Sequence, residues 1–174
     1  FVLEQVDRTY TNFEVVMKSS VAIVKLLTTL GIPAKIKYPN DIVVEHRKIA
    51  GILIEKVADV FIVGIGINVS FNKADMYDFH PGSILLETGK VMDYRDVLSL
   101  FIDTYNSYQE LTIEELYRLY KDYTIVIGQE VDYQEEHYQI KDVLITGELV
   151  LVNNVHEVTV VLNEISLDGF YREQ

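Results

Sequence analysis

The chain has 174 residues, with 15 basic against 27 acidic side chains and a net charge of −12; 49% of residues are hydrophobic and 11% aromatic. That composition supplies a core of ordinary size and excludes intrinsic disorder and nucleic-acid binding through bulk charge. No apolar run reaches the roughly 18 residues needed to cross a bilayer, no signal peptide opens the chain, and the absence of cysteine excludes disulfides, thiolate–zinc sites and cysteine nucleophiles, a pattern that fits the cytoplasm.

In chain order, residues 1–5 read as the end of a strand already under way, and an opening on Phe1 without methionine predicts sequence upstream. Thr11-Asn12-Phe13-Glu14 is a capping box, in which hydroxyl and carboxylate satisfy N–H groups that a helix start leaves unpaired. Apolar residues then recur at Val16, Val21, Val24, Leu27 and Leu30, and Gly31 with Pro33 ends the predicted helix. Residues 34–38 and 42–45 read as short strands around a Pro39-Asn40-Asp41 turn. Residues 48–56 and 60–69 are long, rich in Ile and Val, and read as central strands covered by helices.

Residues 70–92 read as a polar loop with a short helical piece at 83–87. Asp93 caps a second helix with Val97, Leu98, Phe101 and Tyr105 on one face, and the capping box Thr112-Ile113-Glu114-Glu115 opens a third through about Lys121. From Thr124 the pattern turns to short strands, at 125–127, 130–133, 138–144, 148–152 and 157–165. A small antiparallel barrel or sandwich following a helix-and-strand domain is the expected arrangement, divided at 1–122 and 123–174.

Charge is unevenly spread. Residues 35–56 carry Lys35, Lys37, Arg47, Lys48 and Lys56 against Asp41, Glu45 and Glu55, whereas everything beyond residue 56 is strongly acidic. A positive island in an acidic chain suggests a bound anion, although a solvated hairpin accounts for the charge equally well. His46, His80, His137 and His156 have no ligand spacing and predict no metal site. Gly64-Ile65-Gly66-Ile67-Asn68-Val69 fails as a dinucleotide fingerprint, because Val69 takes the third glycine position and the run is strand-like. Glycines at 51, 64 and 66 mark close approach by backbone or ligand. Asn68, an amide amid Ile67 and Val69, needs partners at both its ends and reads as presented to a ligand. Lys48 heads an otherwise apolar strand, a placement that can offer an ammonium to a dry pocket.

Lys37-Tyr38-Pro39-Asn40-Asp41-Ile42, Arg47-Lys48-Ile49-Ala50-Gly51-Ile52-Leu53-Ile54-Glu55 and Gly64-Ile65-Gly66-Ile67-Asn68-Val69, in that order, resemble the catalytic core of the biotin–protein ligase family. The closing Asn163-Glu164-Ile165-Ser166-Leu167 resembles that family's end motif. The resemblance implies an α+β fold, with a mixed β-sheet covered by helices followed by a small SH3-like β-barrel. It also implies an ATP-dependent ligase that activates biotin as biotinyl-5'-AMP and transfers it to a lysine of a biotin carboxyl carrier domain, with Mg²⁺ on the nucleotide.

By the same resemblance Lys48 holds the biotin carboxylate and then the acyl-phosphate oxygen. Lys37 and Asn40 lie near the phosphates, Asn68 recognises the adenine end, and Gly51, Gly64 and Gly66 lie against biotin. Asp41 orients Lys37 or Asn40, or positions the incoming lysine. Tyr38 replaces the usual tryptophan, and Asn163 a usual glycine. The family's glycine- and arginine-rich biotin loop has no counterpart beside any of the five arginines (Arg8, Arg47, Arg95, Arg118 and Arg172) and is expected upstream of Phe1. Lipoate–protein ligase of the same fold, and a non-catalytic nucleotide- or partner-binding module, are the alternatives. The cysteine-dependent octanoyltransferases are excluded. No helix-turn-helix precedes the core in this sequence, and edge-strand pairing into a homodimer is compatible with the family.

Overall fold

The structure, a computed structural model, describes the backbone of residues 2–5 and residues 10–58, 60–70, 81–108 and 110–161. His80, Arg8, Arg172 and the end motif at 163–167 lie outside the described residues, as do residues 71–80 of the expected polar loop.

The first helix, α1 (Asn12–Thr29), starts as its capping box requires: Glu14 N–H donates to Thr11 Oγ1 at 3.2 Å, and Thr11 N–H returns a bond to the Glu14 carboxylate. It ends where Gly31 takes φ +81° and Ile32 N–H donates to Leu27 C=O at 2.9 Å. Between these ends Val15, Met17, Val21, Ile23, Val24, Leu26 and Leu27 are buried, so α1 forms the spine of the core.

Strands β1 (Val2–Gln5), β2 (Lys35–Lys37), β3 (Asp41–Val44), β4 (Arg47–Val57) and β5 (Val60–Ile67) make a sheet in the order β1-β5-β4-β3-β2. Every strand pair described in it is antiparallel, which corrects the expected mixed sheet. Consecutive strands here are joined by short turns, at Glu45–His46 and around Ala58, and such turns cannot return a strand in parallel. Among the described residues one isolated parallel bridge joins Ile36 of β2 to Thr124, which belongs to no strand.

The second correction concerns coverage. Helix α1 packs on one face, over Ile36, Ile42 and Ala50, all buried. On the other face Leu53 is 74% exposed and Val57 is also exposed, so the helical cover among the described residues is one-sided. The Ile- and Val-rich runs read as central strands covered by helices; β4 instead alternates, with glycine, leucine and glutamate on its outer side.

Helix α2 (Ile84–Thr88) follows an N-cap at Ser83, α3 (Tyr94–Ser107) one at Asp93, and α4 (Ile113–Tyr123) the second capping box at Thr112 and Glu115. Helices α3 and α4 pack on α1 through Val97, Phe101, Tyr105, Leu116 and Tyr120. Leu98, expected on the inner face of α3, is exposed, because the buried stripe runs 97-101-105 and leaves position 98 at its edge.

The remaining strands, β6 (Glu130–Tyr133), β7 (Glu136–Val143), β8 (Leu149–Val152) and β9 (Glu157–Val160), form an antiparallel meander in sequence order. It stands where an SH3-like barrel is expected. The predicted strand at 125–127 is instead a turn: Ile125 N–H makes one bond to Ile36 C=O (3.0 Å), and Gly128 at φ +87° redirects the chain. The meander is fastened to the rest by Tyr117 Oη donating to Val143 C=O (2.6 Å), a Lys121–Asp142 ion pair (2.6 Å), and Tyr38 Oη donating to Gly147 C=O. No helix of the described residues is long and apolar enough to cross a membrane.

Candidate active site on the open sheet face

Register aligns the predicted residues. Lys37 stands opposite Asp41, Asp41 opposite Gly51, and Gly51 opposite Gly66, one rung across four strands. Partners in a rung point to the same face. The neighbouring rung, Ile36–Ile42–Ala50–Ile67, faces α1 and is buried in its first three members. Lys37, Asp41, Gly51 and Gly66 therefore share the face that α1 does not cover, with Leu53 and its partner Gly64 one step along.

Simple alternation would put Lys48 on the α1 side with Ala50. A β-bulge prevents this: Ala50 pairs with Ile42, Lys48 pairs with Val43, and Ile49 is the extra residue between them. The Lys48 side chain thereby lies over Gly51, where its Nζ is 2.6 Å from Asp41 Oδ1. A Cβ built on Gly51 would come within 3.0 Å of that Nζ and 3.2 Å of that Oδ1. Above Gly66 the same construction meets nothing within 4 Å, and above Gly64 only Leu53 at 3.6 Å or more. An ammonium paired to a carboxylate thus borders open space floored by glycine.

Asn40 and Asn68 are both tied to main chain. Asn40 Nδ2 donates to Ile52 C=O at 2.7 Å, while Ile52 N–H donates to Asn40 C=O at 3.0 Å, which closes the loop onto β4. Asn68 Nδ2 donates to Lys48 C=O (3.2 Å) and to Gly82 C=O (2.9 Å). Both amide hydrogens of Asn68 are thereby engaged with main-chain carbonyls of the chain itself.

The other cations of the positive island have separate tasks. Lys35 Nζ reaches Asp122 C=O and the Tyr123 ring, and Lys56 lies over Phe61, 5.0 Å from its centroid. Arg47 bonds Glu87 at 3.1 Å and Glu45 at 3.4 Å. Glu87 and Gly82 carried no signal in the sequence: Glu87 is a partly buried acid on a five-residue helix, 40 positions from its arginine.

His46 lies exposed in a turn. His137 is held between Asp132 and Glu130, whose hydrogen bonds, that of Asp132 first, raise its pKa on the outer surface of the meander. Among the described residues no group of three or more His, Cys, Asp or Glu could hold a metal ion.

Comparison with known proteins agrees with the motif resemblance. The model of the Biotin/lipoate A/B protein ligase family matches residues 1–72. The apo structure of biotin protein ligase from Aquifex aeolicus superposes with a TM-score of 0.77 at 19% identity, covering 94% of this chain and 78% of that one. The Aquifex aeolicus ligase in complex with biotin and ATP gives 0.74 at 21% identity, covering 94% and 75%. Biotin acetyl coenzyme A carboxylase synthetase from Helicobacter pylori with bound biotinylated ATP gives 0.61 at 14%, covering 88% and 69%. The helices and antiparallel sheets are those of the biotin protein ligase fold.

Proposed function

We propose that this chain, which carries the Biotin/lipoate A/B protein ligase pattern over residues 1–72, is an ATP-dependent biotin–protein ligase. It activates biotin as biotinyl-5'-AMP and transfers it to a lysine of a biotin carboxyl carrier domain of a carboxylase. The observation that carries this reading is the Lys48 ammonium, lying over Gly51 beside the open space above Gly66. In the first half-reaction a carboxylate oxygen of biotin bonds to the α-phosphorus of ATP and the bond to pyrophosphate breaks. Two anions must meet, and fixed positive charge at the meeting point lowers the barrier. Lys48 holds the biotin carboxylate and then the acyl-phosphate oxygen, while Lys37, on the same rung, neutralises phosphate charge.

In the second half-reaction the acceptor amine forms an amide with the biotinyl carbonyl, AMP leaves, and the amine surrenders a proton. Asp41, the carboxylate between Lys37 and Lys48, is the group placed to orient that amine. Asn40 borders the nucleotide, and Gly51, Gly64 and Gly66 floor the biotin side. Mg²⁺ fits this site only as a companion of the ATP phosphates, where it adds positive charge; the described side chains offer it no cage of their own. Residues 1–122 form the catalytic domain and 123–174 the small β domain, in a protein working in the cytoplasm.

Lipoate is the competing substrate, since the matched family includes lipoate ligases. The Tyr38-Pro39 aromatic turn and the Gly-Ile-Leu-Ile-Glu strand favour biotin. The deciding experiment offers labelled biotin or labelled lipoate, with ATP and Mg²⁺, to carrier domains, using this chain and a form with its natural upstream sequence. Biotin is expected to be transferred. Transfer of lipoate alone reverses the substrate, and nucleotide binding without transfer of either leaves a binding module.

A further inference from the structure

The bulge that turns Lys48 to the open face is a place where pairing with β3 no longer dictates the direction of β4. A slip of one residue would return Lys48 to the α1 side. The main chain at this point is held by other means. Lys48 C=O accepts from Asn68 Nδ2 at 3.2 Å and from Gly82 N–H at 2.9 Å, and Ile49 C=O accepts from Asn68 N–H at 2.9 Å. The second hydrogen of Asn68 Nδ2 goes to Gly82 C=O at 2.9 Å, and Ile84 N–H donates to Asn68 C=O at 2.9 Å. One amide thus joins the end of β5, the bulged start of β4 and the entry to α2. On the side-chain side, Arg47 is drawn to Glu87 of α2, so both residues at the start of β4 are anchored to the same short segment.

We propose that Asn68 is a positioning residue for Lys48: its amide nitrogen fixes the bulge and so aims the ammonium over Gly51. This rests on the ligase reading given above and adds to it, since a residue that recognises adenine acts on nucleotide affinity, whereas a residue that aims Lys48 acts on the chemical step. The amide is suited to the task because it supplies two donors in one plane to two carbonyls. A carboxylate of the same shape supplies none and opposes both oxygens; alanine leaves both carbonyls without that partner.

The test uses the full chain with Asn68→Asp, Asn68→Ala and the milder Asn68→Ser, which keeps one donor. Biotin-dependent pyrophosphate release is measured with ATP and with purine riboside triphosphate, which differs from ATP only at the base. The expected result is a fall in kcat of about 10²-fold, the scale of a misplaced catalytic group. KM for ATP should stay within about threefold, and the preference for ATP over the analogue should be unchanged. A raised KM with kcat retained, or loss of the base preference, overturns the proposal in favour of adenine recognition.

A second measurement needs no turnover. In ligand-free protein labelled at lysine Cε, the Lys48 resonance is identified by its loss in Lys48→Arg. The neighbouring Asp41 carboxylate is expected to hold it apart from the bulk lysine signals, and Asn68→Ser should shift it towards them. A resonance unmoved in folded Asn68→Ser overturns the positioning role whatever the activity. A wild-type chain that releases no pyrophosphate yet shows the shift overturns the ligase reading and leaves the positioning role standing.

Discussion

Lys48 reaches Asp41 by crossing over Gly51: Nζ and Oδ1 lie 2.6 Å apart, and the space they occupy is the space a Cβ on residue 51 would need. The pair is half open to solvent, with side-chain exposures of 53% and 24%, and exposed pairs of this kind contribute at most about 1 kcal/mol to stability. A half-exposed ion pair on a sheet face that no helix of the described residues covers is therefore weakly justified by folding and better justified by chemistry.

Lys48→Ala is accordingly expected to abolish biotin-dependent pyrophosphate release while lowering unfolding free energy by less than about 1 kcal/mol, measured by urea denaturation. Lys48→Arg should also lose most activity, because a planar fork does not place a compact charge between a carboxylate and a phosphate. Pyrophosphate release at the wild-type rate in Lys48→Ala would remove the catalytic assignment altogether.

Gly51 and Gly66 face the same side yet should respond differently to alanine. At Gly51 the methyl group meets the mobile end of Lys48, so the fold survives and the ammonium is displaced; kcat should fall about tenfold or more. At Gly66 the methyl group enters open space, so stability is unchanged, and KM for biotin should rise if that space receives the ligand. Steady-state kinetics with biotin and ATP varied separately distinguishes the two. Identical profiles for the two variants would contradict the placement of Lys48 over Gly51.

Local signals in the sequence were sound wherever the physics is local. The capping boxes at Thr11 and Thr112 specify helix starts by bonds three residues apart, and both helices begin there. The Ile- and Val-rich runs with their glycines became β4 and β5. What could not be read was register. The bulge at Ile49, which decides the face on which Lys48 stands, depends on pairing with β3. The use of Asn68 depends on Gly82, whose approach leaves no periodic trace. Leu98 and the 125–127 segment failed for a related reason: apolar character locates a residue near a core without saying that the core has room for it.

Tyr38 ties the site loop to the meander, and its titration gives a pH test. Burial, and then the nearby Glu148 charge, push its phenol up from 10.0 to about 12. The unfolded chain thus loses this proton first, so the stabilising effect is complete below about pH 10 and is lost as pH rises towards 12. Across that window the unfolding free energy of the wild type should fall relative to Tyr38→Phe, with a limiting slope of about 1.4 kcal/mol per pH unit. Taking the difference between the two proteins cancels the lysine titrations they share. Parallel curves would mean that Tyr38 ionises in the folded protein as freely as in the unfolded one.

Gly147, whose carbonyl accepts the Tyr38 hydroxyl, is the position in this junction least able to carry a side chain. Its φ of +100° disfavours L residues, and a Cβ there would lie 2.8 Å from Phe13 Cγ and 3.0 Å from Phe13 Cδ2. Phe13 has little room to yield, since its ring packs against Tyr38 at 6.1 Å and edge-on to Tyr120 at 5.3 Å between centroids. Gly147→Ala is therefore expected to cost about 2–4 kcal/mol, from backbone strain and overpacking together. The two contributions separate in a double-mutant cycle with Phe13→Ala, which removes the Cγ and Cδ2 atoms of the clash and leaves the backbone term in place. Positive coupling of about 1 kcal/mol or more supports the contact between the β7–β8 turn and the first turn of α1. Strictly additive costs would mean that the turn stands clear of Phe13, and that Tyr38 alone carries the link from the meander to the loop beside Lys37 and Asn40.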